Sequence, residues 1–280
     1  MTRGAAARDG GFALVAALTA LLLFALMAYT VLAADQGATA GAQAQMQRAR
    51  LEAAADGALA TAIAGLGASD ARRWAIGGRP RDVEIDGVQT TIVIEDERGK
   101  VPLNRLQPTQ ARRLLQAAGV AGPRLDALTD SLLSWQDGFS RDHNATLLDY
   151  AADDVRPRGA LFVTVGELAA VKGMTPALLD RLAPVLTVFP GNGAFMPQAA
   201  SPLALAAMTE TGAEGPDAII RARELAGQRA KLDTATESYV GRVVTVHVTA
   251  RAPGGGALDR SAVVELTGNA HRPFWVRATD

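Results

Sequence analysis

Five aspartates and one asparagine crowd one stretch near the middle of the chain. They are Asp137, Asp142, Asn144, Asp149, Asp153 and Asp154. Carboxylate and amide oxygens are the ligands that calcium prefers, usually about six to eight of them at about 2.3–2.6 Å. Arg141, Arg156 and Arg158 lie in the same stretch, so a solvated acidic loop is an equal alternative. If a calcium ion binds, Asp137 and Asp142 are the predicted ligands.

A candidate protease site lies near the N-terminus. Residues 1–11 form a short leader, and residues 12–34 are an uncharged apolar block. In an ordinary secretory signal the small residues for cleavage come after the apolar region, whereas Gly10 and Gly11 come before it here. Cleavage after Gly11 would leave the apolar block on the mature protein. This order resembles the precursors of type IV pilin-like proteins, which implies cutting by a prepilin peptidase and N-methylation of Phe12.

The apolar block is long enough to span a membrane. It starts at Phe12, ends at Ala34 and contains 23 residues. At a rise of ~1.5 Å per residue the block reaches ~35 Å, and the hydrocarbon core of a bilayer is ~30 Å thick. Arg3 and Arg8 in the leader would stay in the cytoplasm under the positive-inside rule. We therefore expect a single-pass inner-membrane helix, with Asp35 and the rest of the chain in the periplasm.

Composition excludes several classes of function. The net charge is −1 over 280 residues, which gives no overall attraction to nucleic acid, and the absence of cysteine excludes disulfides and thiol chemistry. His143, His247 and His271 lack the spacing of metal ligands. The sequence contains neither a P-loop nor a nucleophile elbow. We expect no enzymatic activity.

The helical pattern continues beyond the apolar block. Residues 43–66 are rich in alanine, and Leu59, Ile63 and Leu66 recur at helical spacing. Such a stripe can pack on a sheet. The sequence therefore predicts one spine helix over residues 12–66.

Short strands are predicted on both sides of the central region. Two β-favouring runs flank Asp86-Gly87 within residues 82–97, and Asp-Gly is the strongest short-range signal for a hairpin. Near the C-terminus, residues 239–250 and 261–267 have the same alternating character, and residues 274–276 add a short strand. We expect these strands to share one antiparallel sheet that packs on the spine helix.

The central region is predicted to be helical. Several candidate helices begin with Thr, Ser or Pro, which are preferred caps and first-turn residues. These helices span residues 109–118, 123–135, 164–171, 175–189, 202–208 and 216–225. The predicted fold class is α+β: a pilin-like long N-terminal helix on a small antiparallel sheet, with a large inserted all-helical domain of SAM or helix-hairpin-helix type.

The predicted organisation has five parts. They are a leader (residues 1–11), a spine helix (12–66, transmembrane over 12–34), a first hairpin region (67–100), a helical insert (101–232) and C-terminal strands that complete the sheet (233–280).

The insert carries motifs that resemble one family. Residues 96–106 read Asp-Glu-Arg-Gly-Lys-Val-Pro-Leu-Asn-Arg-Leu. They resemble the stretch Asp-x-x-Gly-Lys-Ile-Asn-Leu-Asn-x-Leu of the K-type minor pseudopilins of the bacterial type II secretion system, with Pro102 in place of an asparagine. Residues 134–137 are similar to the Asp-Trp-Ile-Asp segment of that family. Residues 166–168 and 171–174 are similar to its Ser-Glu-Leu and Val-x-Gly-Val elements.

The sequence also departs from the family pattern. Met196, Gln198 and Ala199 stand where Asn, Asn and Thr are expected, and these positions are interpreted as structural. Phe139 replaces a second aspartate of the calcium region known in related proteins, and residues 144–146 replace its Gly-Ala-Glu. These losses weaken the case for calcium at Asp137 and Asp142.

The resemblance implies a structural protein at the tip of the secretion pseudopilus, where it supports export of folded proteins across the outer membrane. The implied partners are the I- and J-type minor pseudopilins, the major pseudopilin, prepilin peptidase and secreted substrates. Most pilins carry a glutamate at the fifth mature position, which pairs with the N-terminal amine of a neighbour. Ala16 stands there in this chain, as a tip subunit with no neighbour ahead would allow.

Two other functions remain open at this point. Residues 168–179 have the form of a helix-hairpin-helix, so a competence-type pilin-like protein that binds DNA through the turn at residues 172–175 is one alternative. Residues 101–190 carry as many basic as acidic side chains, which favours a purely structural hairpin because DNA binding needs a basic face. The other alternative is a generic membrane-anchored periplasmic binding domain without processing.

Overall fold

The structure is a computed structural model that describes residues 9–68, 72–77, 80–137, 159–210, 215–225, 238–269 and 271–280. The chain divides into two compact units, Met1–Ala53 and Ala54–Asp280. Helix α1 (Asp9–Gly67) begins in the first unit and ends in the second. It runs without interruption through the predicted spine helix, so the glycines at 37, 41 and 57 do not break it.

The described part of the first unit is helical throughout. Its window Ala13–Thr30 has a mean hydropathy of 2.2 and exposed side chains, and its length and composition suit a membrane span. The hydroxyl of Thr19 donates to the carbonyl of Ala16 at 2.9 Å, and that of Thr30 donates to Met27 at 2.8 Å. Both hydroxyls are therefore satisfied inside the helix, as apolar surroundings require.

The second unit contains a five-stranded antiparallel sheet. Its strands are β1 (Arg81–Ile85), β2 (Val88–Asp96), β5 (Val243–Arg251), β6 (Ala257–Asn269) and β7 (Arg272–Thr279), in the spatial order β1-β2-β5-β6-β7. Strands from both ends of the chain thus share one sheet, which confirms the predicted α+β class. β1 and β2 pair in register from Ile85 opposite Val88, and Asp86 and Gly87 turn between them with φ of 50° and 75°. Positive φ at both central residues is typical of the type I′ hairpin turn.

The last turns of α1 pack on this sheet through small residues. Ala55, Ala58 and Ala62 are buried, with the larger Leu66 at the end of the helix, and a Cβ at Gly57 would lie 3.3 Å from the Ile85 side chain. The sheet presents a matching apolar face: alternate residues of β2 are buried, and the buried apolar ones among them are Val88, Ile92 and Ile94. The alanine-rich sequence is therefore explained by close approach between helix and sheet.

Between β2 and β5 the chain forms a helical region with its own core. Its elements are β3 (Val101–Pro102), α2 (Pro108–Ala117), α3 (Pro123–Asp137), β4 (Leu186–Thr187), α4 (Pro176–Leu182), α5 (Pro202–Met208) and α6 (Pro216–Leu225). Leu103, Leu114, Leu115 and Leu205 are almost fully buried in this core. Trp135 stacks on Phe162 with ring centroids 6.1 Å apart.

Two predicted helices differ from the structure. The helix expected over residues 175–189 ends at Leu182, a 3₁₀ turn follows over Ala183–Val185, and β4 pairs in parallel with β3. Pro184 explains the end, since proline lacks an N–H and its ring clashes with the preceding turn. The segment expected as a helix over residues 164–171 is instead a 3₁₀ helix, Val165–Ala170.

The C-terminal strands also differ in their bounds. The strand predicted from residue 239 begins at Val243, because Gly241 adopts a φ of 75° in the preceding turn. β6 and β7 are longer than predicted, and β7 extends over Arg272–Thr279 rather than three residues. Strand pairing with β6 explains this extension, since it supplies hydrogen-bond partners that local sequence cannot reveal.

Candidate functional site: the root of the helical insert

Residues 96–106 carry the chain from the sheet into the helical insert, and we call them the root. Asp96 is the last residue of β2, and a 3₁₀ turn over Glu97–Gly99 follows it. β3 and a second 3₁₀ turn, Leu103–Arg105, complete the segment. Val101 and Leu103 are fully buried in the core of the insert. The root therefore joins the two hydrophobic cores of the second unit.

Asp96 is the centre of a buried ion cluster at the root. Its side chain is 3% exposed and accepts from the Arg98 amide at 3.0 Å and from Arg98 Nη2 at 2.9 Å. Arg242 Nη1, 146 residues away in the sequence, donates to the same carboxylate at 2.8 Å. The Arg242 guanidinium also lies 5.7 Å from the ring centre of Tyr239. One carboxylate thus ties the exit from β2 to the entry into β5.

Glu97 is the centre of a second ion cluster at the root. Lys100 Nζ lies 2.6 Å from Glu97 Oε1 and 3.0 Å from Glu95 Oε2. The hydroxyl of Thr245 in β5 donates to Glu97 Oε1 at 2.6 Å, and His247 Nε2 lies 3.3 Å from Glu95 Oε2. The second cluster therefore joins the same two strands as the first.

Two groups of the second cluster have shifted pKa values. Burial alone would raise the pKa of Glu95, but the hydrogen bond with His247 and the charge of Lys100 outweigh burial and lower it. Burial alone would lower the pKa of Lys100, but Glu97 and Glu95 outweigh burial and raise it. Both shifts favour the charged forms, so the cluster is held together by charge at neutral pH.

The segment of residues 190–200 closes over the root at very short range. A Cβ on Gly99 would lie 2.6 Å from the carbonyl oxygen of Ala199, so only glycine fits there. The Met196 amide donates to the Arg98 carbonyl at 2.8 Å, and Arg98 Nη2 lies 2.9 Å from Met196 Sδ. Met196 and Ala199 therefore make structural contacts at the root, whereas Gln198 is exposed.

The same segment contacts the start of β5. The Asn192 amide donates to the Gly241 carbonyl at 2.9 Å. Gly241 has a φ of 75°, and a Cβ there would lie 2.5 Å from Asn192 Nδ2. Residues 190–200, which lie between β4 and α5, therefore contact the entry into β5 next to the Asp96 cluster.

Asn104 fastens the root to the interior of the insert. Its Nδ2 donates to the Phe162 carbonyl at 2.9 Å, and its Oδ1 accepts from the Phe162 amide at 2.8 Å. The Asn104 side chain thus satisfies both the N–H and the C=O of Phe162, as a neighbouring β-strand would. The asparagine of the family-like motif thus fixes the segment that carries Phe162 onto the core.

The candidate helix-hairpin-helix is present as a short turn. The 3₁₀ helix Val165–Ala170 leads into Gly173, which has a φ of 85°, and Thr175 Oγ1 accepts from the Leu178 amide at the start of α4. Arg124 Nη2 donates to the Gly173 carbonyl at 3.2 Å. The turn is therefore held by hydrogen bonds within the insert.

The other sequence-predicted residues are only partly described. Gly11, Phe12, Ala16 and Ala34 all lie in α1, and Ala16 is exposed; the side chains of Phe12 and Ala34 lie outside the description. Asp137 ends α3, and its side chain is not described. The remaining residues of the predicted acidic site lie outside the described residues: Asp142, Asn144, Asp149, Asp153 and Asp154. Within the described residues no group of three or more potential ligands could hold a metal ion.

The two ion clusters were not predicted. They depend on Arg242 and Thr245, which local sequence does not connect with residues 95–100. The available signal was the family-like motif itself, since Asp96, Gly99, Lys100 and Asn104 all occupy its defined positions. The structure shows that these four residues fasten the insert to the sheet and to its own core.

The root and the first part of the helical insert are similar to a known family. Residues 92–191 match the family model of the first domain of type II secretion system (T2SS) protein K. The structure is also similar to a chain in the crystal structure of the GspK-GspI-GspJ complex from the enterotoxigenic Escherichia coli type 2 secretion system. That match has a TM-score of 0.58 and 15% sequence identity, and it covers 85% of this chain and 97% of the other. Among curated protein sequences, none matches the chain.

Gly99→Ala tests the close packing at the root. The added methyl would press on the Ala199 backbone, so we expect the free energy of unfolding to fall by about 1–3 kcal/mol. The measurement is urea unfolding of the full chain in detergent, followed by intrinsic fluorescence. The matched control is Gly41→Ala, where a Cβ meets nothing within 4 Å; it should be neutral or stabilising by up to ~1 kcal/mol. Equal effects of the two substitutions would contradict the packing argument.

Glu95→Gln tests the charge of the second cluster. Because the pKa of Glu95 in the folded protein is below its ordinary value of 4.5, its stabilisation is complete above that value and is lost as the pH falls through the folded pKa. Lys100 has the opposite sign: its contribution is complete below its ordinary pKa of 10.5 and is lost as the pH rises through the folded pKa. Neutral pH therefore lies inside the window in which both contribute.

The measurement is the free energy of unfolding from about pH 3 to about pH 7. Glu95→Gln should reduce the loss of stability on the acid side. Glu84→Gln on the exposed strand β1 is the control, and it should leave the loss of stability at acid pH unchanged. If wild type and Glu95→Gln lose the same stability at acid pH, this carboxylate does not stabilise the root.

Proposed function

We propose that this chain, which belongs to the K-type minor pseudopilin family of the type II secretion system, occupies the tip of a short periplasmic pseudopilus. The observation that carries the proposal is the position of the insert. The family's first domain, matched over residues 92–191, begins inside β2, and the helical region enters and leaves between two adjacent strands of a pilin-like sheet. Most pilin-like subunits have no such insert. In this chain the insert would change which neighbouring subunit can stack on the sheet.

The apolar part of α1 supports an inner-membrane location. The window Ala13–Thr30 suits a membrane span, and the leader that precedes it carries Arg3 and Arg8. With the leader in the cytoplasm, the second unit lies in the periplasm. In the assembled filament the same apolar side chains would pack against helices of neighbouring subunits, which buries their surface without directional bonds.

The order of the N-terminal residues supports processing. A prepilin peptidase would cut after Gly11, and Phe12 would become the methylated first residue. The helix α1 runs through this junction, so the cut would leave the anchor in place. The mature fifth residue, Ala16, then carries no charge that a neighbouring subunit must neutralise.

The I- and J-type minor pseudopilins are the proposed immediate partners. The similar structure is a complex that contains GspI and GspJ beside GspK. The major pseudopilin would follow below these minor subunits, and secreted proteins would meet the assembly at its tip. The role is structural: the buried charges at the root pair with one another and hold the insert. Calcium at Asp137 and Asp142 remains a prediction.

The geometry of the root supports a role of the insert in closing the filament. Two ion clusters join the two ends of the insert to the sheet, and residues 190–200 add a further contact from within the insert. A rigidly held domain of this size would occupy the space into which a further subunit would be added. Growth would then proceed from below, with this chain always at the leading end.

Gly11→Ala tests the processing site. We expect the precursor to keep its full mass, because the peptidase would lose the glycine that it requires before the cut. The measurement is the intact mass of the full chain expressed with and without a prepilin peptidase. The wild type should lose residues 1–11 and gain one methyl group, and Gly4→Ala in the leader should behave as wild type. Normal maturation of Gly11→Ala would remove the assigned cleavage site.

Removal of the insert tests the capping role. Asp96 is paired with Val244 across β2 and β5, so an Asn-Gly turn in place of residues 97–243 can connect the two strands. We expect this variant to reach the membrane and be processed, but secretion should fail and filaments of the overexpressed major subunit should lengthen. The full chain with Gly41→Ala is the control. Secretion and filament length at the wild-type level would contradict the capping role.

A further inference from the structure

A small polar cavity lies between two turns of the helical insert. One turn, residues 118–122, joins α2 to α3, and the other directly precedes α4. The cavity has a volume of about 160 Å³, and Arg124 of α3 and Arg181 of α4 both line it. Since one water molecule takes about 30 Å³ in the liquid, the cavity has space for a small ion of about five non-hydrogen atoms.

The two arginines at the cavity are positioned by neutral groups. Arg181 Nη1 donates to the Ala118 carbonyl at 2.5 Å, and Arg124 Nη2 donates to the Gly173 carbonyl at 3.2 Å. Gly119 has a φ of 91°, and a Cβ there would lie 3.1 Å from Arg181 Nη1, so glycine leaves room for this guanidinium. Because a guanidinium has five N–H donors, one carbonyl uses only a small part of its hydrogen-bonding capacity.

No acidic side chain neutralises these two arginines within the described residues. The described lining of the cavity contains no aspartate, glutamate or histidine. Neither Arg124 nor Arg181 forms an ion pair with a described residue, whereas Arg112 of α2 pairs with Asp126 of α3. Like charges at one cavity repel each other. The cavity therefore presents two positive charges that an anion would stabilise.

Thr175 adds a hydroxyl group to the same cavity. Its Oγ1 accepts from the Leu178 amide at 3.4 Å, and among the described residues its hydroxyl proton has no acceptor. The polar side chains at the cavity are thus two guanidiniums and one hydroxyl. Arginine stays protonated at every pH that a protein tolerates, so these charges are permanent.

We propose that this cavity binds the dianionic phosphate group of free phosphate or of a phosphate monoester. A monoester carries nearly two negative charges at neutral pH, because its second pKa is about 6, whereas a carboxylate or a phosphodiester carries only one. Guanidinium groups bind phosphate oxygens through paired, charge-assisted hydrogen bonds. The bound group joins Arg124 of α3 to Arg181 of α4. The inference goes beyond the proposed function, since the cavity lies within the insert and needs no neighbouring subunit.

Isothermal titration calorimetry of the full chain in detergent tests the cavity, with methyl phosphate as the monoester probe. We expect a dissociation constant of about 1 mM or lower at about pH 7.5 and low salt. Arg124→Gln and Arg181→Gln should each weaken binding at least about tenfold, since each removes a charged donor. Arg221→Gln, at an exposed position of α6, is the matched control and should bind as the wild type does.

Thermal unfolding separates lost binding from lost folding. About 10 mM methyl phosphate should raise the midpoint of the wild type by about 2–4 °C, and it should leave the midpoint of Arg124→Gln unchanged. Arg181 also holds the Ala118 carbonyl, so Arg181→Lys serves as a second variant that keeps the charge. It should bind methyl phosphate more weakly than the wild type, because lysine lacks the paired donors of arginine.

Three further probes define the chemistry of the ligand. Dimethyl phosphate has the single charge of a nucleic-acid backbone, and acetate has that of a protein carboxylate; both should bind at least about tenfold more weakly than methyl phosphate. Inorganic phosphate distinguishes the two sources of the dianion. Tighter binding of inorganic phosphate than of methyl phosphate assigns the free ion, and weaker binding assigns a monoester.

Two results would overturn the proposal. One is a dissociation constant for methyl phosphate above about 10 mM, or an equal affinity for dimethyl phosphate or acetate, which would exclude a site for a dianion. The other is an equal affinity of the wild type, Arg124→Gln and Arg181→Gln, which would place the bound ion outside the cavity. The role of the chain in secretion is independent of both results.

Discussion

The buried pair of Asp96 and Arg242 is the interaction on which the arrangement of the second unit depends. It closes a loop of 146 residues and joins the end of β2 to the entry into β5. Two charges removed from water are costly to bury, and the cost is offset only when geometry is good and the remaining groups are satisfied. Arg98 and the amide of residue 98 supply those further bonds. The pair therefore adds little net stability by itself, but any arrangement that separates its members leaves an unpaired buried charge, which disfavours alternative positions of the insert.

The close-packed glycines constrain the root by steric means. Gly99 admits the Ala199 backbone and Gly241 admits Asn192, so residues 190–200 approach the root more closely than any side chain would permit. Charge and shape constrain the root in complementary ways. The ion clusters determine which groups must contact each other, and the glycines determine how closely the backbones approach. A domain whose two ends are joined in this way is held in a fixed position on the sheet.

Local sequence predicted the elements whose signals are local. The Asp86-Gly87 hairpin and helices α5 and α6 were found because turn chemistry and capping lie within a few residues. The helix expected over residues 175–189 was wrong at its C-terminal end, where Pro184 and pairing with β3 outweigh the apolar pattern. The root was recognised as a motif without its mechanism, since Arg242 lies far away in sequence. The Asp96 cluster could not be found by periodicity, which contains no information about which distant residue neutralises a carboxylate.

The apolar helix and the root avoid an unpaired buried charge in two different ways. In lipid an unpaired carboxylate costs several kcal/mol, so a pilin-like helix keeps one only where a neighbouring subunit supplies an amine. In the proposed tip position the chain would have no neighbour ahead of it, and Ala16 would leave no charge to neutralise. At the root the chain keeps its carboxylates because it supplies the partners itself: Arg98 and Arg242 for Asp96, and Lys100 for Glu97. Under the proposed cleavage after Gly11, the chain would meet its buried charges internally and carry none at the fifth mature position.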